Sequence, residues 1–204
     1  KNLAPIIALK EGLTDPVCNQ IMGMTAENLA EEFYITRQEQ DEYALKSHQR
    51  AISAQQENKF DEEILPIPII NGYKSIQTED IGPRKDQSME TLTKLKPFFK
   101  RQTGTVTVGN SCGITDGAAA AILMKESQAK KLGLKPLGYM VDYAYAGLQP
   151  HRMGLGPVFA TAKLLKKTKR KMADIDLIEM NEAFAAQILA NVKAFDSNEF
   201  ANNE

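Results

Sequence analysis

The apolar positions between residues 174 and 195 predict a strand, a sharp turn and a helix with almost no linker. The run Leu177–Met180 is mostly apolar and is typical of a short buried strand. From Phe184 to Phe195 apolar residues recur at helical spacing, which predicts one continuous apolar helix face. Asn181 lies between the two elements as either the helix N-cap or a polar group directed into a site, and Glu182 suits the positive end of the helix dipole.

Similar patterns predict further helices upstream of this segment. Helices are expected over residues 26–33, 36–58, 88–96, 127–132 and 158–166. Thr36 and Glu39 form a capping box, and Ser88 is a good N-cap residue. Gly133 stands at the expected C′ position, and Pro157 suits the first turn of a helix.

Extended segments are indicated by apolar runs bounded by glycine, proline and asparagine. The segments expected to be extended are 64–70, 73–77, 105–108 and 137–146, whereas residues 1–24 are expected to form a loop. Asn71-Gly72 predicts a hairpin turn, and the prolines of the preceding segment confine it to an edge. The alternation of strand and helix from Leu137 to Phe195 predicts part of an α/β sheet.

Four segments carry a more specific signal. They are Met22–Asn28 (MGMTAEN), Gly104–Ala120 (GTVTVGNSCGITDGAAA), Met153–Pro157 (MGLGP) and Asn181–Gln187 (NEAFAAQ). In this order they resemble signature segments of the thiolases, enzymes that form or cleave 3-ketoacyl-CoA by acyl transfer. One such match is weak, whereas four in register across nearly the whole chain are specific.

The resemblance implies the thiolase fold, a five-layer α-β-α-β-α arrangement of the α/β class. Residues 1–115 would form the loop domain that covers CoA, and residues 116–136 would close the N-terminal thiolase domain. Residues 137–204 would form the first half of the C-terminal domain. Several partner strands of that fold are missing from this sequence, so we expect exposed strand edges that aggregate or pair with another chain.

The resemblance also implies a set of functional residues. Asn181 would be catalytic, because it would position a water that forms one oxyanion hole together with a histidine outside this sequence. The residues implied to bind CoA or the acyl group are Leu13, Met22, Arg84, Phe99, Cys112, Met153, Ala183 and Phe184. CoA and acyl-CoA are the expected substrates, with no metal and no other cofactor.

Several of these positions also have a plain structural interpretation. Without the resemblance, ordinary apolar filling is the better interpretation of Leu13 and Met22. The resemblance places either Phe98 or Phe99 near CoA, and an aromatic core anchor is an equally good interpretation. Arg84 belongs to a polar stretch that is often a solvated loop, and Lys85 is the competing alignment for a phosphate contact.

Neither cysteine matches the position of a thiolase nucleophile. Cys112 stands where many thiolases carry a serine that binds the pantetheine amide, and a thiol is a weaker donor. No histidine or lysine lies near Cys112 in sequence to activate it. Cys18 and Cys112 are too far apart in sequence to indicate a disulfide framework, which fits a reducing, cytoplasmic compartment.

Charge and hydropathy exclude other classes of protein. The chain has 25 Lys and Arg against 26 Asp and Glu, a net charge of −1, so nothing predicts binding to nucleic acid or to anionic membranes. No run approaches the roughly 20 apolar residues of a membrane span. By resemblance, the complete enzyme is expected to be a homo-oligomer, a dimer or tetramer, acting in fatty acid metabolism.

The chain begins at Lys1 and ends in the polar stretch Asp196–Glu204, so we expect an incomplete segment. It lacks the thiolase segment with the nucleophilic cysteine and the later Gly-His-Pro and Cys-Gly-Gly-Gly segments. Two functions therefore remain open. The sequence is either part of a thiolase whose thioester cysteine lies outside it, inactive alone, or a non-catalytic CoA-binding or assembly module from a split or decayed thiolase.

Overall fold

The computed structural model describes residues 8–69 and 75–203. The helices are α1 (Ala8–Gly12), α2 (Met22–Glu32), α3 (Arg37–Gln56), α4 (Met89–Thr93), α5 (Glu126–Lys131), α6 (Gly156–Thr168), α7 (Ala185–Phe195) and α8 (Asn198–Asn203), with 3₁₀ turns at Pro150–Leu155 and Met172–Asp174. The strands β1 (Thr14–Asp15) and β2 (Gln20–Ile21) pair antiparallel, as do β3 (Ile67–Pro68) and β4 (Ile76–Gln77). None of the described helices combines the length and apolar composition needed to cross a bilayer.

Helix ends with a local sequence signal lie where the sequence predicts them. The Thr36 hydroxyl accepts from the Glu39 N–H at 3.2 Å, and the Glu39 carboxylate accepts from the Thr36 N–H at 2.6 Å, which confirms the capping box. Ser88 caps α4, and Pro157 lies in the first turn of α6. Gly133 adopts a left-handed φ of 67° directly after α5, as a C′ glycine does.

The core forms where α2 packs against α7 and the 3₁₀ turn before α6. Its buried members are Ala26, Leu29, Ala30, Ile35, Val106, Leu155, Val158, Ala186, Ala190 and Ala194. Alanines dominate the facing surfaces of both helices, so their backbones approach closely. This packing fixes the ends of α2 and α7, between which the functional residues gather.

Two buried carboxylates join the helices to the glycine-rich segment that starts at Gly104. Glu27, on α2, accepts from the N–H groups of Thr105 and Val106 at 2.9 Å. Asp41, on α3, accepts from the Asn110 side-chain amide at 2.9 Å. Because a buried charge is costly without such partners, these bonds hold the segment in one position against both helices.

The predicted strands are the main point of disagreement. Residues 105–108, 137–146 and 177–180 lie outside helices and ladders, so the prediction of strands there is wrong for this chain. A strand needs a partner to be stable, and the described part of the chain offers these segments none. The β3–β4 hairpin is confirmed, although its Asn71-Gly72 turn lies outside the described residues, and the segment expected to be a loop contains α1, β1 and β2.

The unpaired segments expose large apolar side chains. These include Leu137, Tyr139, Met140, Val141 and Leu177. Two lysines of α6 contact the segment 142–145. Lys163 donates to the Tyr145 carbonyl at 2.9 Å, and Lys167 pairs with Asp142. Runs of exposed large apolar side chains, such as residues 139–141, are typical of an interface.

Candidate functional site

A cavity of about 290 Å³ opens between α2, the segment before α6 and the segment before α7. Its lining residues are Met22, Thr25, Ala26, Leu29, Met153, Gly154, Pro157, Met180, Asn181, Ala183, Phe184 and Gln187. We call it the apolar cavity. Asn181 and Gln187 are the two side-chain amides of this lining, and an apolar site with few polar groups is the usual form of a small-molecule pocket.

A second cavity, of about 450 Å³, lies on the other side of the segment 180–182. Its lining residues include Tyr43, Ser47, His48, Gly82, Pro83, Ser111, Cys112, Glu179 and Glu182, and we call it the polar cavity. Met180 and Asn181 line both cavities. We therefore call residues 180–184 the wall.

The wall is held by contacts with residues distant in sequence. The Ala183 carbonyl accepts from the Cys112 N–H at 2.9 Å, and the Ala185 N–H donates to the Asn110 carbonyl at 3.0 Å. Ser111 and Phe184 form an isolated antiparallel bridge. Residues 109–113, which we call the glycine-rich turn, thus set the path of the chain into α7.

Asn181 is not a helix cap. α7 begins at Ala185, and its N-cap is Phe184, which has an extended backbone and no side-chain capping bond. The bond from the Ala185 N–H to the glycine-rich turn, together with the bridge at Phe184, keeps the wall out of the helix. The N-cap interpretation is therefore wrong, and so is the placement of Glu182 at the helix dipole.

The structure brings together five of the nine residues that the sequence implicates. Met22, Met153, Asn181, Ala183 and Phe184 all line the apolar cavity. They come from three of the four motif segments, which are far apart in sequence. The fold therefore brings together motif segments that are far apart in sequence.

Phe99 and Cys112 lie next to this group. The Phe99 ring packs edge-on against the Phe184 ring, with centroids 6.0 Å apart. Gly23 gives that ring its room, because a Cβ at this position would collide with it. Cys112 lines the polar cavity, and its backbone N–H is the donor to the wall.

Leu13 and Arg84 are not among the lining residues of either cavity. The Leu13 carbonyl accepts from the Met22 N–H at 2.8 Å, and its side chain is partly exposed. Arg84 is exposed, and its backbone N–H donates to His48 Nδ1 at 3.2 Å. Burial, and secondarily the charge of Arg84, lower the pKa of His48, which favours the neutral imidazole that can accept this bond.

Sequence reasoning missed the contacts between α3 and the wall. The Tyr43 hydroxyl donates to Glu182 Oε1 at 2.6 Å, and the Ser47 hydroxyl donates to Glu182 Oε2. The partners are more than 130 residues apart in sequence, so no local pattern links them. The spacing of Tyr43 and Ser47 by one helical turn is the single signal that places both hydroxyls on one face of α3.

Comparison with known proteins agrees with the fold. The family model of the thiolase N-terminal domain matches residues 5–127, and that of the thiolase C-terminal domain matches residues 134–203. The chain therefore belongs to the thiolase family. The three-part division at residues 115 and 136 is finer than these two matches and stays a prediction.

Individual relatives carry acetyl-CoA acyltransferase or thiolase names. A probable acetyl-CoA acyltransferase of Staphylococcus aureus (strain COL) is 48% identical over 182 residues, which are 88% of this chain and 46% of that protein. The structure superposes on the Bacillus anthracis acetyl-CoA acetyltransferase with a TM-score of 0.90 and 46% identity, covering 94% of this chain and 48% of the other.

A third comparison concerns human mitochondrial 3-ketoacyl-CoA thiolase in complex with CoA, with a TM-score of 0.87 and 42% identity over 94% of this chain and 47% of that one. These superpositions confirm the α/β class and the thiolase fold. The chain spans about half the length of the relatives it matches.

Proposed function

We propose that this chain supplies the acyl-binding part of a thiolase that transfers an acyl group between 3-ketoacyl-CoA and CoA. The thioester would form on a cysteine outside this sequence. The observation that carries the proposal is the apolar cavity, because it gathers Met22, Met153, Asn181, Ala183 and Phe184 around one space of about 290 Å³. An acyl chain needs apolar walls, and a reacting thioester needs a polar group at one end.

In this proposal Asn181 holds a water that donates to the thioester oxygen as negative charge develops on it. Preorganised donors of this kind stabilise the transition state more than the ground state. Met22 and Met153 adapt to the acyl group, because methionine side chains are flexible and apolar. Phe99 supports the cavity from behind through the Phe184 ring.

The CoA portion would extend past the glycine-rich turn. Cys112 would contact the pantetheine arm from its place beside the wall, and Leu13 would lie further along the arm. Arg84 is exposed close to Pro83, which lines the polar cavity, and its guanidinium suits a phosphate. The complete enzyme would be a cytoplasmic homo-oligomer, a dimer or tetramer, of fatty acid metabolism.

A second candidate function is a non-catalytic CoA-binding or assembly module. The exposed apolar side chains of residues 137–141 and 177–178 favour it, because they offer unpaired segments to another polypeptide. The two functions differ in whether a partner polypeptide restores catalysis.

Thiolysis of acetoacetyl-CoA separates the two functions. We would measure it for this chain alone and for a chimera in which the chain replaces the matching segment of the Staphylococcus aureus acyltransferase. The thiolase proposal predicts no turnover by the chain alone and turnover by the chimera that depends on both acetoacetyl-CoA and CoA. A chimera that folds and assembles like its parent but lacks turnover would contradict the thiolase proposal and favour the module.

A further inference from the structure

We propose that Glu182 is a positioning residue, which fixes Asn181 at the apolar cavity by tying the wall to α3. This inference rests on the proposed function for its catalytic meaning. Its structural basis is independent, because it consists of contacts within the chain.

The contacts converge on one carboxylate. Glu182 Oε1 accepts from the Tyr43 hydroxyl at 2.6 Å, and Oε2 accepts from the Ser47 hydroxyl. The two donors are four residues apart on α3, so they form a fork on one helix face. A carboxylate held at both oxygens has little freedom to rotate, and hydrogen bonds to charged acceptors are the stronger kind.

The Tyr43 hydroxyl is protonated near neutral pH and can therefore donate to the Glu182 carboxylate. Burial first, and the hydrogen bond to Glu182 second, raise the pKa of the Tyr43 hydroxyl. Tyr43 therefore keeps its proton and remains a donor. α3 is itself fixed, because its buried Asp41 binds the Asn110 side chain.

Glu182 completes the support of the wall. The bonds of Ala183 and Ala185 to the glycine-rich turn hold the wall on the C-terminal side of Asn181. Glu182 is the residue directly after Asn181 and is held by a different element, α3, through Tyr43 and Ser47. The residues that directly follow Asn181 are thus fixed by two different elements, α3 and the glycine-rich turn. A misplacement of about 1 Å at an active site can cost about 10²-fold in rate.

The experiment follows the side-chain amide of Asn181 in the ¹⁵N spectrum of this chain. Its resonances are assigned by their loss in Asn181→Ala. Glu182→Ala is expected to shift and broaden them, because the wall loses its support from α3. Glu182→Gln retains an acceptor and is expected to restore a single sharp pair. Glu179→Ala removes a carboxylate from the same cavity and is expected to leave them unchanged.

A second pair of variants tests whether Glu182 acts through α3. The double variant Tyr43→Phe, Ser47→Ala removes both donors and is expected to reproduce the Glu182→Ala spectrum. Adding Glu182→Ala to it should cause no further change. Far-UV circular dichroism checks that all variants keep their helices, and an Asn181 resonance that is unchanged in Glu182→Ala would overturn the inference.

The ligand-free spectra separate this inference from the proposed function. If acetoacetyl-CoA fails to shift any resonance of the wild-type chain, the proposed function fails for the chain, while the effect of Glu182 on Asn181 is still measured. In the chimera, Glu182→Ala is expected to lower kcat by about 10²-fold with little change in KM, and Glu182→Gln to recover most of the loss. Equal losses in both variants would overturn the positioning role.

Discussion

Replacing Asn181 with alanine is expected to slow thiolysis of acetoacetyl-CoA by about 10²–10³-fold in the chimera with the Staphylococcus aureus acyltransferase. Asn181 lines both cavities and does not cap α7, so its amide is not engaged in capping and is available to hold a catalytic water. Steady-state kinetics should show the loss in kcat, because the interaction strengthens as charge develops in the transition state.

The matched control is Asp176→Ala. Asp176 is an exposed polar residue shortly before the wall and is not part of either cavity lining. Its replacement should leave turnover unchanged, and both variants should unfold within about 0.5 kcal/mol of the parent. Unchanged turnover in Asn181→Ala would remove the catalytic role, and a large loss of stability would mean that the residue is structural.

Replacing Asp41 with alanine is expected to lower the free energy of unfolding by about 3–5 kcal/mol. Asp41 is fully buried and accepts from Arg37 Nε at 2.7 Å and from the Asn110 side chain at 2.9 Å. Its loss leaves the Arg37 charge and the Asn110 amide without this partner. Because the Asn110 carbonyl also receives the Ala185 N–H, the start of α7 should loosen as well.

Urea denaturation of the chain measures this loss. Glu42→Ala is the control, since Glu42 is the exposed neighbour of Asp41 and bonds to Gln38 one turn earlier on α3. The control should change stability by no more than about 0.5 kcal/mol. A loss below about 1 kcal/mol in Asp41→Ala would mean that the Arg37–Asp41–Asn110 network does not hold the glycine-rich turn.

Helix ends could be predicted from the sequence because their causes are local. Thr36 and Glu39 bond to each other's backbone, and Gly133 is free to adopt the left-handed conformation. The unpaired segments 105–108, 137–146 and 177–180 have no such local cause. Residues 137–146 have a strand pattern, yet a strand forms only with a partner, and the described residues provide none.

In the site, too, features with a local sequence signal could be predicted, and features that depend on packing between distant elements could not. The motif segments identified Met22, Met153 and Asn181, and the structure places all three around one cavity. The interpretation of Asn181 as a cap failed because contacts from the glycine-rich turn delay the start of α7 to Ala185. The tie between Glu182 and α3 could not be predicted, since it depends on how the two elements pack.

The most direct test of the acyl site is methyl NMR of this chain with ¹³C-labelled methionine during titration with acetoacetyl-CoA. Met22 and Met153 line the apolar cavity. The proposed site therefore predicts saturable shifts of their methyl resonances. The Met140 methyl, which is exposed and outside that lining, should stay in place. Shifts at Met140 without shifts at Met22 and Met153, or no saturable shift at all, would contradict the assignment of the apolar cavity as the acyl site.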